Sequence, residues 1–305
     1  MTAYTQVSAN RFKTWLIMFG FAAFITLVVY IFTQALGYRG PSALGFTGIA
    51  LIIAGIMNFF AYYSSDKLVM AISGAKQIQK KDNLTLFRIV ENLCIASGLP
   101  IPKIYLINDT APNAFATGRN PKHASICFTT GILQKLDKLE LEGVAAHELS
   151  HVGNYDTRLM SIVSVLVGLV ALLADWFIRI LWWGGGERDN DNRGAGGAII
   201  MVAALVLAIL SPIIAMLIQL AISRKREFMA DATGSLITRN PDSLASALLK
   251  ISRDTEPLEA ANKATAHLYI INPLKGRKDA IGWFAGLFNT HPPIEQRIKA
   301  LQAMQ

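Results

Sequence analysis

The sequence predicts an α-helical membrane protein with four transmembrane helices and a cytoplasmic α+β domain, and three observations point that way. Of its 305 residues, 52% are hydrophobic and 16% charged, too apolar a balance for an ordinary soluble domain. Residues 15–36, 44–63, 159–183 and 198–222 are each long enough to cross the hydrocarbon core as a helix. Between and after these stretches, helical periodicity alternates with short strand-like runs.

The first stretch is a retained anchor, because its apolar run exceeds a signal peptide's core and no small-residue cleavage site follows. Arg11 and Lys13 precede it, and Lys67, Lys76, Lys80 and Lys81 follow the second, while only Arg39 lies between the two. Arg224, Lys225 and Arg226 follow the fourth, whereas the loop at 184–197 balances Arg188 and Arg193 against Glu187, Asp189 and Asp191. By the positive-inside rule both termini and the soluble part face the cytoplasm of a multi-pass protein in the cytoplasmic membrane. The chain then divides into a membrane hairpin at 1–65, a soluble part at 66–157, a second hairpin at 158–223 and a second soluble part at 224–305.

The net charge of +8 fits basic residues gathered where helices meet anionic headgroups, so the partner is the lipid bilayer and no nucleic acid is expected. Cys94 and Cys127 fit no metal or redox spacing and are read as core thiols. Asp175 and Arg179, four residues apart inside the third span, form a self-neutralising pair near the far interface.

Within the first soluble part, residues 83–97 carry Leu86, Ile89, Val90 and Leu93 at helical spacing and stop at Gly98. Strands are expected at 103–107, 114–117 and 125–129, separated by turn chemistry. A proline-free segment at 138–154 is a helix. Further helices are expected at 223–238, 241–252 and 293–305.

The helix at 138–154 carries His147-Glu148-Leu149-Ser150-His151, which sets two imidazoles one turn apart on one face, where both reach a single zinc ion. Glu148 beside them is placed to take a proton from the attacking water and return it to a leaving amine. A tetrahedral zinc with an open position needs a third protein donor, and Glu227 is the best candidate. It begins Glu227-Phe228-Met229-Ala230-Asp231, whose two carboxylates share a helix face: one to bind metal, the other to accept an N–H from a ligand histidine. His151 lies roughly 10 Å along the helix from the third span and Glu227 roughly 8 Å beyond the fourth, so a hairpin of these spans sets both at one level.

These residues resemble the HtpX-like and CAAX-prenyl-protease-like integral membrane metalloproteases, most closely the shorter four-span HtpX-like proteins. The resemblance covers the paired spans, residues 100–107, Asn113-Ala114-Phe115-Ala116-Thr117-Gly118, the HELSH helix, the Glu227 to Asp231 segment, and Thr290-His291-Pro292-Pro293 followed by Arg297. It implies a zincin-like metalloprotease domain with one Zn²⁺ per chain on His147, His151 and Glu227, Glu148 as base, and Asp231 holding His147. It further implies that Asn113, Ala114, Phe115 and Ala116 form an edge strand to which substrate adds, and that His291 and Arg297 steady the oxyanion. The role implied is endoproteolytic quality control of membrane-protein substrates. A turn-bounded core strand is the other reading of 113–116. A rival for the whole chain is a non-catalytic membrane scaffold or transporter with a structural metal site, which would favour four protein ligands or interrupted helices at the midplane.

Overall fold

The computed structural model describes residues 3–35, 40–183, 224–260, 265–271, 273 and 292–304. The segment expected as a fourth span, 198–222, the loop at 184–197, and His291 lie outside the described residues, as do the side chains of Asp175 and Arg179.

Two helices, α1 (Ala3–Ala35) and α2 (Pro41–Ile72), form the first hairpin. Both are long and apolar enough to cross a membrane, and only 22% of each apolar window is buried. Phe19, Leu51, Ile52, Phe59 and Phe60 point outward. Such a surface suits lipid and would drive aggregation in water. Where the helices meet, α2 presents Ala50, Ala54, Ala61 and Ser65, small residues that let backbones approach closely. Asn58 Nδ2 crosses that contact to donate to the Met18 carbonyl at 3.0 Å.

The soluble part begins with β1 (Lys76–Gln77) and α3 (Leu84–Ser97). Asn83 caps α3 through the Leu86 N–H, and Gly98 ends it at φ +68°, a conformation glycine adopts without steric cost. Next come β2 (Lys103–Ile107), β3 (Ala114–Gly118), β4 (Ala124–Thr129) and the short α4 (Thr130–Lys135). The sheet order is β1-β2-β4-β3, with β2 and β4 parallel and both outer pairs antiparallel. This order sets β3 at an edge, in register Phe115 to Cys127 and Ala116 to Ile126.

Helix α5 (Lys138–Gly153) opens with a capping box in which Asp137 and Glu140 satisfy each other's backbone N–H groups. Tyr155, at φ +59°, turns the chain into α6 (Asp156–Trp183), the expected third span. Beyond the undescribed stretch lie α7 (Arg224–Thr238), α8 (Pro241–Arg253), a 3-10 turn at Ala266–Leu268 and α9 (Ile294–Gln302). One core joins α3, the sheet, α5 and α8 through Leu86, Ile104, Ile126, Val144, Leu149 and Leu248. A second joins α1, α2 and α6 through Phe21, Ala54, Ala61 and Leu159. Both cysteines are free and buried.

The strands and helices expected from 83 to 252 recur within one or two residues of their expected ends, whereas the last helix stops at Gln302 and the helices of the first hairpin run well beyond their apolar stretches, from Ala3 and to Ile72. β1, α4 and the strand order were not visible in the sequence. Arg226 departs from its reading as one of three headgroup-facing cations, for it is 4% exposed and held inside the protein.

Candidate metal centre

The turn spacing of α5 puts His147 and His151 on one face, and α7 lies against it. Gly234 permits that approach: a Cβ there would sit 3.0 Å from the His147 nitrogen and 3.3 Å from its Cα. Gly234→Ala therefore forces α7 outward, with an expected cost of about 1–3 kcal/mol and weaker zinc retention, because the same helix carries Glu227 and Asp231. Thermal unfolding and chelator competition on the purified variant check this.

The two Nε2 atoms lie 3.2 Å apart, and the Glu227 carboxylate is 3.7 Å from that of His147 and 3.5 Å from that of His151. One donor atom from each of the three residues falls within 4.8 Å of the others, and all three are buried. Two nitrogens bound tetrahedrally to one zinc would lie about 3.3 Å apart, close to the observed spacing. The far side of each ring is also fixed. His147 Nδ1 is 2.9 Å from Asp231 Oδ1, and His151 Nδ1 is 3.0 Å from Asp156 Oδ2. A carboxylate on Nδ1 holds the proton there and leaves the Nε2 lone pair for a metal.

Among the described residues, Glu148, Asp156, Glu227 and Asp231 are buried, with the guanidinium groups of Arg226 and Arg297 among them. Carboxylates gathered out of water around two imidazoles favour a bound cation.

Glu148, 2% exposed, does not join the three donors. Burial pushes its carboxyl up to about 7, with Glu227 adding to the shift while His151, Arg297 and a hydrogen bond from the Ala116 N–H oppose it. That interaction places the carboxylate near the edge strand. Along the same edge, the Ala114 carbonyl accepts from the Ile270 N–H at 3.0 Å, and Asn113 Nδ2 donates to the Ile271 carbonyl at 3.0 Å. Phe115 is fully buried against Tyr269, in an edge-to-face contact.

Arg297 packs against the ligands of the centre, its Nη1 3.5 Å from Glu227 Oε2. It is completely buried, gives Nε and Nη2 to Asp231 at 2.8 and 2.6 Å, and gives Nη1 to the Ile270 carbonyl at 3.2 Å. A guanidinium so committed holds Asp231, and through it His147, in place. Asp156 escaped the sequence reading altogether, since it lies beyond the break after Gly153, where helical spacing from His151 no longer applies. An acidic residue opening the next helix straight after a ligand helix was the only available signal.

A family model for peptidase family M48 matches residues 80–305. A protein of Dictyoglomus thermophilum described as a protease HtpX homolog is 43% identical over 303 residues, 99% of this chain and 95% of its own. Another so described, from Caldanaerobacter subterraneus subsp. tengcongensis, is 44% identical over 306 residues, 99% and 98% of the two chains. The crystal structure of S. mikatae Ste24p matches with a TM-score of 0.49 at 18% identity, over 95% of this chain and 66% of that one, a likeness too loose to argue from. The family match alone spans well over half of the sequence, and the relatives extend it over almost every residue: the chain belongs to peptidase family M48 and is a metallopeptidase.

Proposed function

We propose that this membrane-bound metallopeptidase cuts membrane proteins at the cytoplasmic face of the membrane, as part of protein quality control, with one zinc ion held by His147, His151 and Glu227. The observation that carries the reading is the convergence of two imidazole Nε2 atoms and a carboxylate, with both rings oriented from behind by Asp231 and Asp156. In this reading the chain crosses the membrane four times, as hairpins at 1–65 and 158–223, and residues 66–157 and 224–305 together form the peptidase part, with both termini cytoplasmic. Uneven Lys and Arg flanks support that orientation.

Bound zinc would supply Lewis acidity at the peptide carbonyl and the attacking water. Glu148 takes the proton of that water and passes it to the departing amine. Glu148 lies beside β3, the sheet edge, where an extended substrate would take the place of the Ile270 contact and add as a further strand alongside Asn113, Ala114, Phe115 and Ala116. Asp231 and Arg297 keep His147 aligned, and His291 remains a candidate oxyanion donor from its place in the motif. The three protein donors found among the described residues would leave a coordination position open for chemistry, where a structural site would favour four.

Detergent-purified protein, stripped of metal and then reloaded with zinc, tests this against a membrane-anchored reporter, with metal content measured at each stage. Cleavage lost on stripping and restored by zinc, at one ion per chain, is the expected result. Protein that binds no zinc, or that cuts equally well without it, overturns the reading in favour of a non-catalytic scaffold.

A further inference from the structure

We propose that the first membrane helix is a working part of the metal centre, with Asn10 as a positioning residue that aligns His151 through Asp156. The inference rests on the zinc site described above and adds a component from the opposite end of the chain.

Asn10 lies near the start of α1, 1% exposed. Its Nδ2 donates to Asp156 Oδ1 at 2.7 Å and to the Asn154 carbonyl at 3.0 Å, across more than 140 residues of sequence. Its Oδ1 accepts from Arg226 Nη1 at 3.3 Å. The Asp156 carboxylate is therefore divided: Oδ2 meets the His151 ring, while Oδ1 is gripped by Asn10 and faces Arg226 at 3.6 Å. A carboxylate bonded through one oxygen can swing about its χ angles. Held at both, it fixes the plane of the imidazole it orients.

The same amide bonds residues that adjoin two of the three candidate donors. Asp156 stands behind His151, and Arg226 immediately precedes Glu227. Asn10 also steadies the corner between α5 and α6. Tyr155 there adopts φ +59°, a conformation that residues with a side chain rarely take. The Asn10 bond to the Asn154 carbonyl holds one side of that peptide corner, and the guanidinium of Arg11, the next residue of α1, lies over the Tyr155 ring at 5.1 Å. Arg158 covers the ring at 4.9 Å. A helix serving only as an anchor has no need of a buried amide bonded to the corner of the catalytic helix.

The test is a double-mutant cycle on the full-length protein in detergent, with zinc affinity from chelator competition as the readout. Asn10→Asp keeps the size of the side chain and an acceptor for Arg226, but sets a like charge against Asp156 Oδ1. Asp156→Asn alone opposes two amide donors across the same contact. Each single change is expected to weaken zinc binding by about 10- to 100-fold. The double variant Asn10→Asp with Asp156→Asn exchanges donor and acceptor, remakes the bond, and still offers an oxygen to His151, so most of the lost affinity returns. Thr14→Val, buried one turn along α1 and bonded only to the Asn10 carbonyl, keeps wild-type affinity. An Asn10→Asp protein that holds zinc like wild type, or a double variant no better than the singles, overturns the inference. If Thr14→Val loses as much affinity as Asn10→Asp, the helix acts by packing and the polar link is wrong. Wild type that binds no zinc fails the metal-site reading itself, a separate result.

Discussion

Glu148→Gln is expected to abolish cleavage while leaving the zinc in place. Glutamine has the shape of glutamate and still offers an oxygen to the Ala116 N–H, so the side chain stays where the structure puts it. The amide cannot take a proton from water. Because Glu148 is not among the three converging donors, metal content is unaffected. A positioned general acid–base contributes about 10²- to 10⁴-fold, and the burial that brings this carboxyl up to about 7 suits a group that must both accept and return a proton near neutral pH. A fall in turnover of at least about a hundredfold, at one zinc per chain, is the predicted outcome of parallel turnover and metal assays. Cleavage within a few-fold of wild type would remove Glu148 from the mechanism. Loss of zinc would instead make it a structural member of the site.

Arg297→Met should produce the second large effect, on stability and metal together. Burial alone would push the Asp231 carboxyl up, but the Arg297 guanidinium and His147 override it and hold the group down at about 2. With Arg297 gone, a fully buried carboxylate loses its countercharge and two short hydrogen bonds. Breaking a buried pair from one side costs about 3–5 kcal/mol. Melting should move clearly downward, and zinc should be held less tightly because Asp231 no longer sits firmly behind His147. The double variant Arg297→Met with Asp231→Leu removes both charges and is expected to regain most of the stability but not the affinity, since the His147 Nδ1 proton has lost its acceptor. Melting curves and chelator competition on the three proteins separate these effects. An unchanged melting temperature in Arg297→Met would show that the pair is not the buried lock the distances describe.

Much of this site was legible before any coordinates, for a local reason. His147 and His151 share a face because four residues make about one helical turn, and Glu227 and Asp231 share one by the same arithmetic. Gly98 marks the end of α3 in the sequence itself. Arg297 was also visible, through the motif around Pro292 and Pro293, but its role was not. The motif gives a cation near the site, and whether that cation faces the reaction or a carboxylate behind a ligand depends on where α9 packs.

The sequence by itself determined the apolar helices, the metal-binding pair and its neighbouring glutamate, the carboxylates that accompany them, and membership of a recognisable class of metalloprotease. Each of these is written in local runs or in an ordered series of short motifs, within which backbone geometry fixes which side chains meet. Tertiary structure alone decided the strand order that leaves β3 at the edge the resemblance implied, that Ile270 covers part of it, that Asp156 stands behind His151, and that Asn10 and Arg226 complete that support. Those contacts join residues up to 216 positions apart. No periodicity connects such positions, and only the packing of α1, α5, α6 and α7 around a common buried charge cluster brings them into hydrogen-bonding range.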